Sequence, residues 1–224
     1  MHFLIEEKRL DKAEKIQVFI SYFLQLIILS TVVLSAIKNN WLTLFLSAGI
    51  FILTLLPSIL RKRLKISLPA EFEFITILFI FISLYLGEIH SYYTKFWWWD
   101  IILHTSSGFL FGILGFLFIY ILNEERKVNV KLIPSFVALF AFAFSVTISV
   151  LWEIYEFLMD SIFGFFMQRG SLGDTMWDLI VDVVGALIIA VIGYFYVKGG
   201  SSAILDRMIR KFLKRNKKLF QRQK

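Results

Sequence analysis

The chain contains no cysteine. That excludes a disulfide framework, a thiolate metal site and a cysteine nucleophile. Histidine is nearly as scarce, with His2, His90 and His104 the only three in 224 residues. With His2 in the charged segment at the chain start, too few remain for a three-histidine zinc centre or a paired Glu-x-x-His di-iron site. No polar stretch is long enough for a soluble domain, and no internal repeat is visible.

What the sequence holds instead is apolar. Hydrophobic residues make up 58% and aromatic residues 17%, against roughly 45–50% apolar in soluble domains. About 20 predominantly apolar residues span a bilayer. Six such runs occur, at about 17–37, 41–60, 72–89, 100–122, 134–159 and 176–197. The expected fold is therefore all-α, a polytopic membrane protein of about six transmembrane helices. The expected organisation is an N-terminal segment over 1–16, a six-helix domain over 17–197 and a basic tail over 198–224. The first run follows a charged segment and lacks a small-residue cleavage site, so it reads as a retained helix and not a signal peptide.

Positive charge is almost missing from one side of this topology. Lys8, Arg9, Lys12 and Lys15, the 61–65 and 126–131 connections and the C-terminal tail hold 21 of the 24 Lys and Arg residues. The other side holds only Lys38, Lys95 and Arg169. The positive-inside rule places both termini in the cytoplasm and the protein in the plasma (inner) membrane. The formal net charge of +7 thus reflects topology and gives no reason to expect a nucleic-acid partner. Residues 202–220 align Leu205, Ile209, Phe212 and Leu213 on one helical face with basic residues opposite. Such a helix suits anionic lipid headgroups, with Gly199 and Gly200 as a hinge, or serves simply as a topology anchor. "HFLIEEKRLDKAEK" at the chain start has the composition of a second surface helix.

Of 17 carboxylates, eight fall on the outer side: Glu88, Asp100, Glu153, Glu156, Asp160, Asp174, Asp178 and Asp182. At 1.5 Å per residue, Asp100, Asp160 and Asp174 form an outer rim near water. His104 lies about 6 Å inward of Asp100, Glu153 roughly 10 Å inward of Asp160, and Asp182 roughly 12 Å inward of Asp174. Helical phase puts 153, 156 and 160 on one face, 174, 178 and 182 on another, and 100 with 104 on a third. Burying an Asp at a helix centre costs about 2.5–3.5 kcal/mol on insertion scales. Protonation, water or a bound cation must compensate. A divalent cation offsets two charges with fixed geometry, and oxygen donors with one histidine favour Mg²⁺, Mn²⁺ or Ca²⁺. The expected ligands are His104, Glu153, Glu156, Asp178 and Asp182.

Other features have simpler readings. "YYTKFWWW" is an interfacial aromatic belt. Gly108, Gly112 and Gly115 permit close helix packing. Gln17, Ser21 and Gln25 form a polar stripe that glues the first helix to a neighbour. Asp174 and Asp100 have the positions of helix caps, with Thr175 and Asp178 at capping-box spacing. Glu88 and His90 sit at a helix end and read as interfacial. A hydrolase pairing of His104 with Ser107 lacks the G-x-S-x-G context.

The segments "WWDIILHTSSGFLFGILGF", "LWEIYEFLMDSIFG" and "MQRGSLGDTMWDLIVDVVGALI" resemble the YjdF-like family of bacterial and archaeal inner-membrane proteins over roughly residues 85–195. The resemblance implies a small multi-pass membrane protein and brings no established activity with it. More distantly, the last three spans are similar to the VanZ-like proteins, one of which is linked to glycopeptide resistance. That likeness places Asp100, His104, Glu156, Arg169, Asp178 and Gly185 at the positions of its motif, with Asp182 where the motif has Asn. "DTMWDLIVD" also has the Asp spacing of membrane prenyltransferases, without their preceding Asn-Asp.

The reading that joins these observations is an outer-leaflet carboxylate–histidine pocket holding a divalent cation and binding or acting on a lipid-borne phosphate. Arg169 would contact the phosphate, and His104 would move a proton. The alternatives are an ion or proton pathway and a non-catalytic membrane partner with a structural acidic cluster. The topology itself is directly testable. Cysteines introduced at Thr94 and Ser171 should react with an impermeant thiol reagent on intact cells, whereas labelling at Arg63 contradicts the orientation.

Overall fold

The structure, a computed structural model, describes residues 11–64, 69–124, 132–164, 167–168 and 171–216. All regular elements among them are helical. Six helices are long and apolar enough to cross a membrane: Lys12–Ile37, Trp41–Ile59, Ala70–Ile89, Trp99–Tyr120, Pro134–Phe163 and Leu172–Val197. The chain divides into two compact units, the first formed by Met1–Lys95 with Arg210–Gln221 and the second mainly by Phe96–Ile209.

The first unit begins with α1 (Lys12–Ile37). It starts earlier than the apolar pattern suggests because a capping box nucleates it. Asp11 Oδ1 accepts from the Glu14 amide at 2.8 Å, and Glu14 Oε2 accepts from the Asp11 amide at 3.0 Å. These bonds satisfy two otherwise orphaned N–H groups. Residues 12–15, the last part of the expected N-terminal surface helix, thus belong to a membrane span, and residues 2–10 lie outside the described residues. Next come α2 (Trp41–Leu64) and α3 (Ala70–Ile80), the latter running into a π-helix over Phe81–Ile89, followed by the short α4 (Tyr92–Lys95). Leu24, Ile28, Ile50, Ile77, Phe81 and Tyr85 form the core of this unit. Two polar ties cross it. Gln25 Nε2 donates to the Thr54 carbonyl at 3.1 Å, and Thr31 Oγ1 meets Tyr85 Oη at 2.7 Å. Gln25 is therefore interhelical glue, whereas the Ser21 hydroxyl donates back to the Gln17 carbonyl of its own helix.

Residues from Arg210 onward supply this unit with cations. Lys211, on α8 (Ala203–Arg215), pairs with Glu71, with Glu14 at 2.9 Å and with Asp11 at 3.3 Å, and Arg215 pairs with Glu14 at 2.9 Å. Burial lowers the affinity of Lys211 for its proton, but hydrogen bonds to Glu71 and Glu14 outweigh it and hold the ammonium above the ordinary lysine range.

The second unit is built on α5 (Trp99–Glu124), α6 (Pro134–Phe163) and α7 (Leu172–Val197), each packed on the other two. Pro134 opens α6 at a position where a missing N–H is harmless, and Gly164 closes it in the left-handed region at φ 69°. Ser171 caps α7 by accepting from the Asp174 amide at 3.1 Å. Asp174 is thus not the cap, and α7 starts four residues before the apolar run at 176. Backbones of α5 and α7 touch where two glycines face each other. A Cβ on Gly185 would lie 2.6 Å from the Thr105 carbonyl oxygen and 3.3 Å from Gly108 Cα.

The turn through Gly199, at φ 108°, leads to α8. Leu205, Met208 and Ile209 on its apolar face are buried in the protein. The sequence pattern assigns that face to lipid; an amphipathic period fixes which side is apolar and not what covers it.

Inserting a methyl at the α5–α7 contact should force the backbones apart. Gly185→Ala is expected to cost about 1–3 kcal/mol, read as a lower thermal midpoint in detergent. Gly49→Ala, with nothing within 4 Å of the added carbon, should melt no lower than the natural protein. Equal midpoints for the two variants would contradict the packing account.

Candidate metal centre

His104 is the hub of the second unit. One turn into α5 from Asp100, it points between α6 and α7 and is 7% exposed. Its Nδ1 lies 2.9 Å from Asp182 Oδ2 on α7. Its Nε2 faces Asp100 Oδ1 at 3.5 Å and Glu153 Oε1 of α6 at 3.9 Å. Ligand atoms of Asp100, His104 and Asp178 all fall within 4.8 Å of one another. Three helices therefore bring Asp100, His104, Glu153, Asp178 and Asp182 to one buried level.

Two serines support the arrangement. Ser107 Oγ is 2.5 Å from Asp182 Oδ1 and 2.8 Å from the His104 carbonyl. Ser145 Oγ donates to the Gly108 carbonyl at 2.9 Å, pinning α6 to α5 beside the glycine contact. Ser107 is thus directed at Asp182 and not at the imidazole, which removes the serine–histidine pairing from consideration. The sequence offers a signal for its supporting role: it stands one turn from His104, next to Gly108.

Glu153 is the anomaly. It is 4% exposed, and neither carboxylate oxygen makes a hydrogen bond of normal geometry, although the Thr175 hydroxyl is near enough to stabilise its charge. Buried polar groups are almost always hydrogen-bonded, and leaving one unsatisfied costs about 1–3 kcal/mol, more if it is charged. The approaches of Asp100 and Glu153 to Nε2 exceed the 2.7–3.2 Å range of an N–H···O bond. Two ligands each about 2.1 Å from a metal lie about 3.0 Å apart on an octahedron and about 3.4 Å apart on a tetrahedron, so Asp100 is already near that spacing, whereas Glu153 would have to draw in by about 0.5 Å to share an ion.

The remaining sequence candidates separate by position. Asp100, expected at the water boundary, is 7% exposed and belongs to the buried cluster. Glu156 is half-buried, and its Oε1 accepts from Trp152 Nε1 at 2.9 Å. Asp182 spends both oxygens on His104 and Ser107. Asp160 accepts the amides of Met167 and Gln168 at 2.7 and 2.9 Å, which folds the chain back after α6. Asp174 occupies the first turn of α7. Glu88 and His90 are exposed and belong to the first unit. Arg169 lies outside the described residues. In the aromatic belt, the rings of Phe96, Trp98 and Trp99 pack against one another at tilted angles, and Trp97 is 78% exposed.

Comparison with known proteins agrees with the membrane reading. The family model DUF2238, described as predicted membrane protein, matches residues 20–199. An uncharacterised protein of Thermotoga maritima is 31% identical over 138 residues, 62% of this chain and 69% of the relative. No solved structure matches.

The rim and the cluster should respond differently to mutation. Asp160→Ala removes the acceptor for two amides and is expected to cost about 1–2 kcal/mol, seen as a lower thermal midpoint. Glu153→Gln removes a buried charge that no hydrogen bond of normal geometry satisfies, so in chelator it should melt no lower than the natural protein. The opposite order of stabilities would contradict the assignment of Asp160 to the turn.

Proposed function

The chain belongs to the YjdF family, DUF2238, of predicted membrane proteins, and from that premise we propose that its second unit holds a divalent cation and uses it to bind or act on a lipid-borne phosphate. The observation that carries the reading is Glu153, sealed from solvent, without a hydrogen bond of normal geometry, and 3.9 Å from an imidazole nitrogen. Asp100, Asp178 and Glu153 supply oxygens and His104 Nε2 supplies a nitrogen. A cation among them relieves the repulsion that several buried carboxylates otherwise impose.

A cation held by these residues would supply charge neutralisation and polarisation at a phosphoryl oxygen. Half-buried Glu156, Asp160 and Asp174 mark the way from the cluster to the ends of α6 and α7. Arg169, in the connection between those helices, is placed by sequence to add a phosphate contact. As a ligand through Nε2 with Nδ1 on Asp182, His104 has no free nitrogen for proton transfer, so the reading gives it the metal role. An ion or proton pathway has less support. The buried residues of this bundle beyond the serines are apolar, among them Phe116, Ile119, Val137, Ala141 and Ala190.

The 21-to-3 division of Lys and Arg supports an inner-membrane protein with both termini inside. Exposed Arg207, Arg210 and Lys214 on α8 support a contact with anionic headgroups there.

A ligand bound only by the native state stabilises it by about 2.7 kcal/mol at 100 times its Kd. The detergent-solubilised protein should melt higher with at least one of Mg²⁺, Mn²⁺ and Ca²⁺ than in chelator. Asp178→Asn and Glu153→Gln should lose most of that shift, and Glu156→Gln should keep it. Short-chain phosphatidic acid should add a further, cation-dependent rise that diacylglycerol does not. A midpoint indifferent to all three ions, with Asp178→Asn at least as stable as the natural protein, overturns the cation. A cation response that phosphatidic acid leaves unchanged overturns the phosphate.

A further inference from the structure

Asp182 is among the most deeply buried side chains of the protein, at 1% exposure, and it stands apart from the other acids. One of its oxygens is 2.9 Å from His104 Nδ1 and the other 2.5 Å from the Ser107 hydroxyl. A carboxylate oxygen so placed accepts a hydrogen bond from Nδ1 in the tautomer that carries its proton there. The lone pair of the neutral ring then falls on Nε2, the nitrogen that faces Asp100 and Glu153. Metal-ligating histidines are held in this way by an outer carboxylate, which fixes the tautomer and raises the basicity of the ligating nitrogen.

We propose that the centre is selective for a first-row transition ion, with Mn²⁺ as its accessible representative, over Mg²⁺ and Ca²⁺, because Asp182 and Ser107 present His104 as a nitrogen ligand. Asp182 is then a positioning residue and not a ligand. The proposal rests on the cation reading and narrows it. Mg²⁺ and Ca²⁺ are hard ions that take oxygen ligands, Ca²⁺ six to eight of them at 2.3–2.6 Å. An imidazole gives them little, whereas first-row transition ions gain from it, Mn²⁺ the least of the series, so a preference for Mn²⁺ is the most stringent form of the test. The donors at hand, three carboxylates and one oriented imidazole on three rigid helices, are few in number and include nitrogen. Ser107 adds to the selectivity indirectly. Its hydroxyl occupies the Asp182 oxygen that could otherwise swing towards the ion and replace nitrogen by oxygen.

The test is Mn²⁺ binding to the full-length protein in detergent, followed by electron paramagnetic resonance with Mg²⁺ and Ca²⁺ as competitors. Mn²⁺ should bind at least about tenfold more tightly than either competitor. Its spin-echo spectrum should carry the modulation of one imidazole nitrogen, which His104→Gln abolishes. Asp182→Asn should weaken Mn²⁺ by about 10–100-fold with a much smaller effect on Mg²⁺. Ser107→Ala, which removes only a hydroxyl and tests the same link should Asp182→Asn fail to fold, should weaken Mn²⁺ in the same direction. If none of the three ions binds, the cation reading itself fails. If all three bind alike, or bound Mn²⁺ shows no nitrogen modulation, the cation reading stands and the selectivity proposal is overturned.

Discussion

The contact between Asp182 Oδ2 and His104 Nδ1, 2.9 Å long and nearly sealed from solvent, ties α7 to α5 and decides which nitrogen of the ring is left for other use. In a medium without water an unpaired carboxylate is expensive, so Asp182 would not be tolerated at this depth without the imidazole and the Ser107 hydroxyl. The imidazole in turn would have no fixed direction without Asp182. Once Nδ1 is committed, Nε2 faces Asp100 and Glu153, with Asp178 in the same cluster. The apolar bundle thereby acquires a point at which several acids surround one nitrogen, with no hydrogen bond of normal geometry to satisfy Glu153.

That contact needs helices closer together than ordinary side chains allow. Gly108 and Gly185 remove the obstruction, since a Cβ on Gly185 would meet the Thr105 carbonyl and the Gly108 backbone. Ser145 then bonds the carbonyl of Gly108 and brings α6, with Glu153 two turns further along, to the same level. Further along α5, Phe116 is wholly buried, stacks on Tyr120 and meets Tyr196 edge to face. Small residues beside the acids and large aromatics beyond them give the bundle one polar level and an apolar remainder.

Much of this is legible in the sequence because α-helices have a fixed period. Six apolar runs give six membrane-crossing helices, and helical phase predicts that His104 meets Glu153, Glu156, Asp178 and Asp182, of which all but Glu156 lie at its level. Depth is less legible. Asp100 shares a face with His104, but counting residues from the helix end places it at the water boundary; the neighbouring helices bury it, and no local pattern encodes them. Glu156 is three residues from Glu153, about 60° off its phase, and that offset lets Trp152 take it. The clamp of Lys211 on Glu14 and Glu71 joins positions 197 and 140 residues apart, a separation that periodicity does not report. The start of α7 at Leu172 turns on Ser171, a cap whose signal is ambiguous beside Asp174 and Thr175.

The central claim is that the space between His104 Nε2 and the surrounding carboxylates is a metal centre. It is tested most directly by an experimental structure of the protein purified without chelator, with diffraction data collected on both sides of a metal absorption edge. The account predicts an anomalous peak about 2.0–2.3 Å from His104 Nε2 and from oxygens of Asp100, Glu153 and Asp178, with Asp182 still on Nδ1. A site without a peak, in which Nε2 has closed to about 2.7–3.2 Å from a carboxylate oxygen, would contradict it and leave a structural imidazolium among acids.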